Sequence, residues 1–169
     1  NELVEKILLV STIEEIKSSL NLKPISLGLL INQLLETQND THKIINDVPL
    51  DLTIQGDDFY IISLIQNLLD NAKKYSSDGS KITFSASESG SDVILSIADN
   101  GIGIPVSQRT KIFERFYRIE DEETRISKGT GLGLFLVNEI VKIHGGRIKC
   151  RENLPNGTIF DIKFKTNYA

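Results

Sequence analysis

Three alternating glycines stand directly before a helix-forming segment, in the run Gly-Thr-Gly-Leu-Gly-Leu at residues 129–134. Glycines spaced this closely cost conformational entropy on folding, so a plain turn explains them poorly. At the start of a helix they expose backbone N–H groups, and the helix dipole favours an anion there. The run lacks the Gly-Lys-Ser/Thr ending of a Walker-type P-loop. We therefore predict a different phosphate-binding loop, followed by a helix over 132–144.

A second glycine-rich stretch, residues 99–105, follows a segment in which apolar and polar residues alternate. Asp99 falls at the end of that predicted strand, where its carboxylate can reach into a pocket and accept a hydrogen bond from an amine such as that of adenine. Gly101 and Gly103 allow close approach of the backbone. A plain Asp-Asn-Gly turn is an equally good interpretation, and the third glycine of a Rossmann fingerprint is missing.

A helix is predicted over 57–75, before both loops in the chain. Asn67, Asn71 and Lys74 are spaced i, i+4, i+7 and therefore share one stripe of it. The adjacent apolar stripe holds Ile61, Ile65, Leu68 and Ala72. An asparagine oxygen suits Mg²⁺ and a lysine suits a phosphate, so the polar stripe predicts a cleft for Mg-ATP. Taken alone, a solvated helix face explains it better.

The segment over 105–129 is densely charged and long for a loop in a compact domain, which is typical of a lid. Its aromatic cluster, Phe113, Phe116 and Tyr117, could dock on this domain or on a partner. Arg118 could reach a terminal phosphate when such a lid closes.

The other elements predict an α/β (α+β) fold, a mixed sheet with helices packed on one face. Helices are predicted over 2–20 and from an N-cap at Ser26, with a chain break at 21–24. Strands are predicted over 43–46, 50–54, 81–87, 93–99, 147–152 and 158–165.

The composition, 40% hydrophobic and 25% charged over 169 residues, is that of one globular domain. A net charge of −4 gives no reason to expect nucleic acid. The single cysteine, Cys150, excludes an internal disulfide and fits a reducing compartment. The chain contains no methionine, so we expect a fragment of a longer protein, which could itself be anchored in a membrane.

In combination, the motifs resemble the catalytic ATP-binding domain of bacterial two-component sensor histidine kinases. Residues 67–76 resemble its N box, 99–105 its G1 box, 112–118 its F box and 129–134 its G2 box. Residues 141–148 and 156–158 resemble its closing segments. The resemblance covers roughly residues 21–165, and it gains its specificity from the order and spacing of these boxes.

The resemblance implies the Bergerat fold of the GHKL group, a two-layer sandwich with a mixed, mostly antiparallel sheet and ATP and Mg²⁺ under a mobile lid. It implies that Asn71 binds Mg²⁺, that Asp99 specifies adenine, and that Arg118 lies near the γ-phosphate. Catalytic roles are implied for Asn67, Lys74 and Arg118. The other implied nucleotide contacts are Tyr75, Gly101, Gly103, Ile104, Thr130, Gly131, Leu132, Gly133 and Thr158.

GHKL members that hydrolyse ATP, such as gyrase and the heat-shock chaperones, carry a glutamate base where this chain has Asn67. Its absence favours a protein-histidine kinase that delivers the phosphoryl group to a histidine and onward to a response regulator. An ATPase switch and a non-catalytic module with a degenerate pocket are the alternatives.

The acceptor histidine should lie outside this chain. His42 adjoins a predicted strand, and His144 stands in a Gly-Gly turn where a structural role is expected. We expect residues 1–20 to be the end of a dimerisation helix and residues 21–169 to be the catalytic domain, on the cytoplasmic side. The parent is expected to dimerise, and the sequence leaves a monomer open for this fragment.

Overall fold

The computed structural model describes residues 18–37, 41–119 and 131–166. In chain order they form β1 (Lys23–Ser26), α1 (Leu27–Glu36), β2 (Lys43–Asp47), β3 (Thr53–Gly56), α2 (Asp58–Tyr75), β4 (Lys81–Ser89), β5 (Asp92–Asp99), α3 (Gly133–Ile143), β6 (Arg147–Glu152) and β7 (Thr158–Lys165). Two short 3-10 turns, Val106–Gln108 and Lys111–Phe113, lie between β5 and α3. Most of the helix predicted over 2–20, and the predicted lid beyond residue 119, fall outside the described residues.

The helices begin at the side-chain caps that their sequences provide. Ser26 caps α1, because its hydroxyl accepts the Leu29 N–H at 3.3 Å. Asp57 caps α2 in the same way, accepting the Phe59 N–H at 3.1 Å. The predicted bounds of α2 and α3 agree with the structure to within one residue at each end.

Five strands form one mixed sheet in the order β2-β4-β5-β7-β6. The β2–β4 pair is parallel, and the other three pairs are antiparallel. The predicted mixed, mostly antiparallel sheet is confirmed.

A separate two-stranded sheet joins β1 to β3. The prediction of a chain break over 21–24 was wrong at its C-terminal end, because Lys23 and Pro24 belong to β1. Four residues that include a proline carry almost no strand signal of their own. Pairing with β3 holds them in the extended conformation.

The core lies between the five-stranded sheet and the helices. Every second residue of β5 is buried, from Val93 to Asp99, and every second residue of β7, from Thr158 to Phe164. The apolar stripe of α2 packs against these rows and is also buried. A two-layer sandwich with helices on one face follows, as predicted. Asp99 continues an otherwise apolar row, so its carboxylate faces the helix layer.

The aromatic part of the charged segment docks on this same domain. Ile112 is buried, and the ring of Phe113 meets the ring of Phe160 edge-on at 6.2 Å between centroids. Tyr117 also packs against the core. Residues 106–119 are therefore anchored to the sheet, which decides between the two docking sites that the sequence left open.

Candidate nucleotide site

Asp99 is the most buried carboxylate of the predicted site, with 5% of the residue exposed. Its Oδ1 accepts two backbone hydrogen bonds, from Gly101 at 2.8 Å and from Thr158 at 3.2 Å. Burial raises the pKa of Asp99, and these two N–H groups act in the opposite direction. With Oδ1 fixed, the carboxylate is held as an oriented acceptor, which is what recognition of an amine requires.

The first glycine loop is packed against two other segments so closely that side chains do not fit. A Cβ at Gly101 would run into the carbonyl oxygen of Tyr75, the last residue of α2. The N–H of Ile102 donates to that same carbonyl at 3.1 Å. Gly103 has a φ of 76°, and a Cβ there would lie 3.3 Å from the carbonyl oxygen of Gly157. The glycines thus join the loop to the end of α2 and to the β6–β7 turn.

Two residues that the sequence analysis missed hold Asp99 from the other side. The Asn153 side chain donates to the Asp99 carbonyl at 2.8 Å. A Cβ at Gly157, which has a φ of 135°, would collide with that same carbonyl. The sequence singles out residues 156–158 only for their resemblance to a closing segment of the family. No local signal in a Pro-Asn-Gly turn shows which distant backbone it touches.

The polar stripe of α2 lies beside its buried face, as predicted. Asn67 and Asn71 are half-buried, whereas Lys74 is exposed. The Lys74 ammonium sits 5.1 Å from the centre of the Tyr75 ring, in a cation–π arrangement. The stripe therefore leads from the helix layer towards the first glycine loop, with its positive charge at the end nearer that loop.

Asn67 meets the start of α3. Its Nδ2 donates to the carbonyl of Ser63 one turn earlier, at 2.8 Å, which fixes the amide orientation. Its Oδ1 would then lie 3.0 Å from a Cβ at Gly133. Leu132 precedes α3 without any side-chain hydrogen bond to the first turn. The N-terminus of α3 is thus set directly against the asparagine stripe, and its first N–H groups have no side-chain cap.

The second glycine loop is fastened to the docked aromatic segment. Phe116 donates its N–H to the Gly131 carbonyl at 3.1 Å, and a Cβ at Gly131 would lie 2.9 Å from the Phe116 carbonyl carbon. Both residues have positive φ, 62° for Phe116 and 70° for Gly131. Arg118 is exposed two residues further on. Thr130 lies outside the described residues.

A further residue missed from the sequence, Arg109, braces the first glycine loop. Its Nε donates to the carbonyl of Ile104 at 2.9 Å, and its guanidinium lies 3.7 Å from the Glu152 carboxylate. The Tyr117 hydroxyl donates to Gln108 at 2.6 Å. Arg109 belongs to the charged segment over 105–129, and only the fold shows that its side chain faces the first glycine loop.

Both histidines lie where the sequence predicts, and His144 has the expected structural role. His144 is buried, and its Nε2 accepts the Asp57 N–H at 3.1 Å. Its Nδ1 faces the Ile140 carbonyl at 2.7 Å and must therefore donate. Burial lowers the pKa of His144, which keeps the ring neutral. His42 adjoins β2, as expected, with its Nδ1 3.4 Å from the Thr41 hydroxyl.

Cys150 is a half-buried strand residue on β6. Burial raises the pKa of its thiol to about 11, so the reactive thiolate is scarce at neutral pH. The structural interpretation of this cysteine is confirmed.

Residues 56–167 match the family model described as histidine kinase-, DNA gyrase B- and HSP90-like ATPases. The chain belongs to this family. Within it, the chain is a catalytic ATPase domain of the sensor histidine kinase type, and membership in an ATPase family implies ATP binding.

Similar proteins agree with that placement. The sensor protein CiaH of Streptococcus pneumoniae serotype 4 is 36% identical over 132 residues, which cover 78% of this chain and 28% of CiaH. The sensor protein SrrB of Staphylococcus aureus strain NCTC 8325 is 41% identical over 100 residues, or 59% of this chain and 17% of SrrB. This domain thus spans less than a third of these curated relatives.

The structure of a mycobacterial sensor histidine kinase, MprB, superimposes with a TM-score of 0.75. It is 27% identical, and the match covers 88% of this chain and all of that one. In the described part of this ATPase-family chain, no helix is both long and apolar enough to cross a membrane.

Proposed function

We propose that this domain binds Mg-ATP and transfers the γ-phosphoryl group to a histidine on a separate dimerisation helix, for relay to a response regulator. The observation that carries the proposal is residue 67. A hydrolase of this family needs a carboxylate base there, whereas Asn67 has a neutral amide whose N–H is engaged with Ser63. Without a base for water, the pocket favours donation to a stronger nucleophile.

Adenine recognition falls to Asp99. Its carboxylate has one oxygen held by Gly101 and Thr158, and its second oxygen is the acceptor for the exocyclic amine. Gly101, Gly103 and Ile104 form the wall behind the base, braced by Arg109. Because buried acceptors and donors must be paired, this site discriminates adenine from bases that present a carbonyl at that position.

Mg²⁺ fits the donor chemistry of the α2 stripe. Asn71 supplies a neutral amide oxygen, half-buried one turn after Asn67 and one turn before Lys74. Mg²⁺ prefers such hard oxygens and takes the rest of its ligands from water and phosphates. When bound, the ion would neutralise charge on the phosphates, and Asn71 would hold it.

The phosphates themselves are placed between α2 and the start of α3. The uncapped N–H groups at that helix start, at Leu132 and Gly133, suit an anion. Lys74 supplies a point charge at the other end of the stripe, Tyr75 lies beside it, and Arg118 stands near the Phe116–Gly131 contact. Asn67 orients the γ-phosphoryl group, and we assign Thr130 to the same phosphate loop.

Transfer would proceed by attack of a histidine ring nitrogen on the γ-phosphorus as the bond to the bridging oxygen of ADP breaks. We place the acceptor outside residues 21–169, because both ring nitrogens of His144 are hydrogen-bonded and His42 adjoins β2 rather than standing on an amphipathic helix. We assign residues 1–20 to the end of a dimerisation helix. The parent would be a homodimer, with this domain on the cytoplasmic side of a membrane.

The test uses ATP labelled in the γ-phosphate and the dimerisation region of the same full-length protein as acceptor. We expect no labelling of this chain alone, little steady release of phosphate, and an acid-labile phosphohistidine on the acceptor. Steady hydrolysis that is indifferent to the acceptor would instead indicate an ATPase switch. Adding the acceptor with its histidine replaced by glutamine serves as the matched control.

A further inference from the structure

A cluster of three cations lies at the far end of the sheet from Asp99. Arg147 begins β6, and Lys163 and Lys165 end β7. Together with Asp92, Gly145 and Gly146 they line a surface cavity of about 300 Å³. Asp92 and Asp99 are the two ends of β5, seven residues apart, so the cavity lies roughly 23 Å from the adenine site.

The strand register explains why the three side chains share one face. Arg147 is directly opposite Lys163 across the β6–β7 pair. On β7, Ile162 and Phe164 are buried in the core. Because side chains alternate along a strand, Lys163 and Lys165 must project from the outer face of the sheet. A Cβ at Gly146 would lie 2.5 Å from the Lys163 carbonyl oxygen. The glycine therefore brings the start of β6 close against β7.

Charge in the cavity is not balanced. Asp92 is the single carboxylate among the lining residues, and it pairs with Lys163 at 2.7 Å. Within residues 18–37, 41–119 and 131–166, neither Arg147 nor Lys165 has an ion-pair partner. Like charges directly opposite one another destabilise a sheet. A surplus of about two positive charges thus persists in a chain of net charge −4.

We propose that this cavity binds a phosphate group, as inorganic phosphate or as the headgroup of an anionic phospholipid. A free phosphate or phosphomonoester carries about −1.5 to −2 charges, which matches the surplus, and a phosphodiester headgroup carries one negative charge, which the surplus also attracts. The planar guanidinium of Arg147 can hold two phosphate oxygens, and Lys165 adds a point charge. The volume exceeds that of a bare phosphate, so an ester substituent is accommodated. The site is separate from the nucleotide site and does not depend on the proposed phosphoryl transfer.

The direct test is an NMR titration of the whole chain with sodium phosphate at constant ionic strength, read at assigned backbone amides. We expect saturable shifts centred on residues 145–147 and 163–165, independent of any shifts in the nucleotide site. The double variant Arg147→Gln/Lys165→Gln should weaken binding at this cavity about five- to thirtyfold, because it removes two of the three cations that line it. Both side chains are exposed, and the Arg147 substitution removes the repulsion from Lys163, so the variant should melt at or slightly above the wild-type temperature.

The chain offers a matched control in Lys43 and Lys81, which are also opposite one another on neighbouring strands but do not line the cavity. Lys43→Gln/Lys81→Gln removes the same charge and should leave the shifts unchanged. An equal loss in both variants, or no saturable shift at residues 145–147, would overturn the proposal. Cosedimentation with phosphatidylglycerol vesicles, set against phosphatidylcholine vesicles, then identifies the source. Vesicle binding lost in the first variant indicates a lipid headgroup, and phosphate shifts without vesicle binding indicate free phosphate.

Discussion

At the scale of single residues, the contact between Asn67 and Gly133 joins α2, the proposed metal-binding helix, to the start of α3, where we propose that the phosphates bind. The amide of Asn67 is fixed by Ser63, and a Cβ at position 133 would lie 3.0 Å from its oxygen, so one of the two would have to shift by a few tenths of an ångström. Gly133 does not have a positive φ, so close approach, and not backbone conformation, excludes a side chain. Two residues far apart in sequence therefore constrain each other.

This constraint predicts that the effect of Gly133→Ala on stability changes sign when Asn67 is replaced. Gly133→Ala should destabilise the wild-type domain by about 1 kcal/mol, because the new methyl group displaces a fixed amide. In an Asn67→Ala background the clash is gone, and the same substitution should stabilise α3 by roughly 0.5–1 kcal/mol through helix propensity. Urea unfolding of the four proteins measures both values. Equal cost in the two backgrounds would show that Asn67 is not the obstacle.

Asn71 makes a second prediction at this scale. If its oxygen binds Mg²⁺, Asn71→Ala should bind an ATP analogue in EDTA as the wild type does and should gain little affinity when Mg²⁺ is added. Gln66→Ala is the matched control, because Gln66 lies on the same helix with its side chain bonded to Asp70 at 2.7 Å. Isothermal calorimetry on the three proteins, each in EDTA and in Mg²⁺, reports all six affinities. A full Mg²⁺ gain in Asn71→Ala would contradict the metal assignment.

At the scale of elements, His144 joins the end of α3 to the beginning of α2. Its neutral ring accepts from Asp57 and donates to Ile140, so the two helices that carry the site share one buried imidazole. Protonation would place a donor against the Asp57 N–H and remove that bond.

The stability of the domain should therefore depend on pH through His144. Its pKa is lowered in the fold from 6.5, so the unfolded chain binds the extra proton first. The contribution of the neutral His144 ring to stability is full above pH 6.5. It is lost as the pH falls towards the folded pKa, by at most about 1.4 kcal/mol per pH unit. His144→Gln should be less stable than the wild type at neutral pH, and its stability should depend less on pH below neutrality. Equal slopes of stability against pH in His144→Gln and the wild type would contradict this role of His144.

Helices and strands with a clear period of apolar residues were predictable. Their signals are local, such as the caps at Ser26 and Asp57 and the alternation of apolar and polar residues in β5. The short strand β1 was not, because only its pairing with β3 makes it extended. The same limit applies to the site. Asp99 was found from its place at a strand end, whereas Asn153 and Arg109 act through backbone carbonyls that the fold alone brings near.

At the scale of the whole molecule, the five-stranded sheet separates two sites. The nucleotide residues gather where α2, the first glycine loop and the start of α3 meet, and the cation cavity lies at the opposite end of β5. The chain covers 28% of CiaH, and we propose that the acceptor helix belongs to the remainder of such a protein. A single domain of this kind can bind nucleotide by itself and still need a partner for transfer.

Calorimetric titration with a non-hydrolysable ATP analogue and Mg²⁺, in the wild type and in Asp99→Asn, tests the nucleotide site most directly. We expect one site per chain in the wild type. Asp99→Asn should keep the bonds from Gly101 and Thr158 but lose a charged acceptor, which weakens binding by roughly ten- to a hundredfold. An absence of binding heat in the wild type, or equal affinity in the two proteins, would contradict the account.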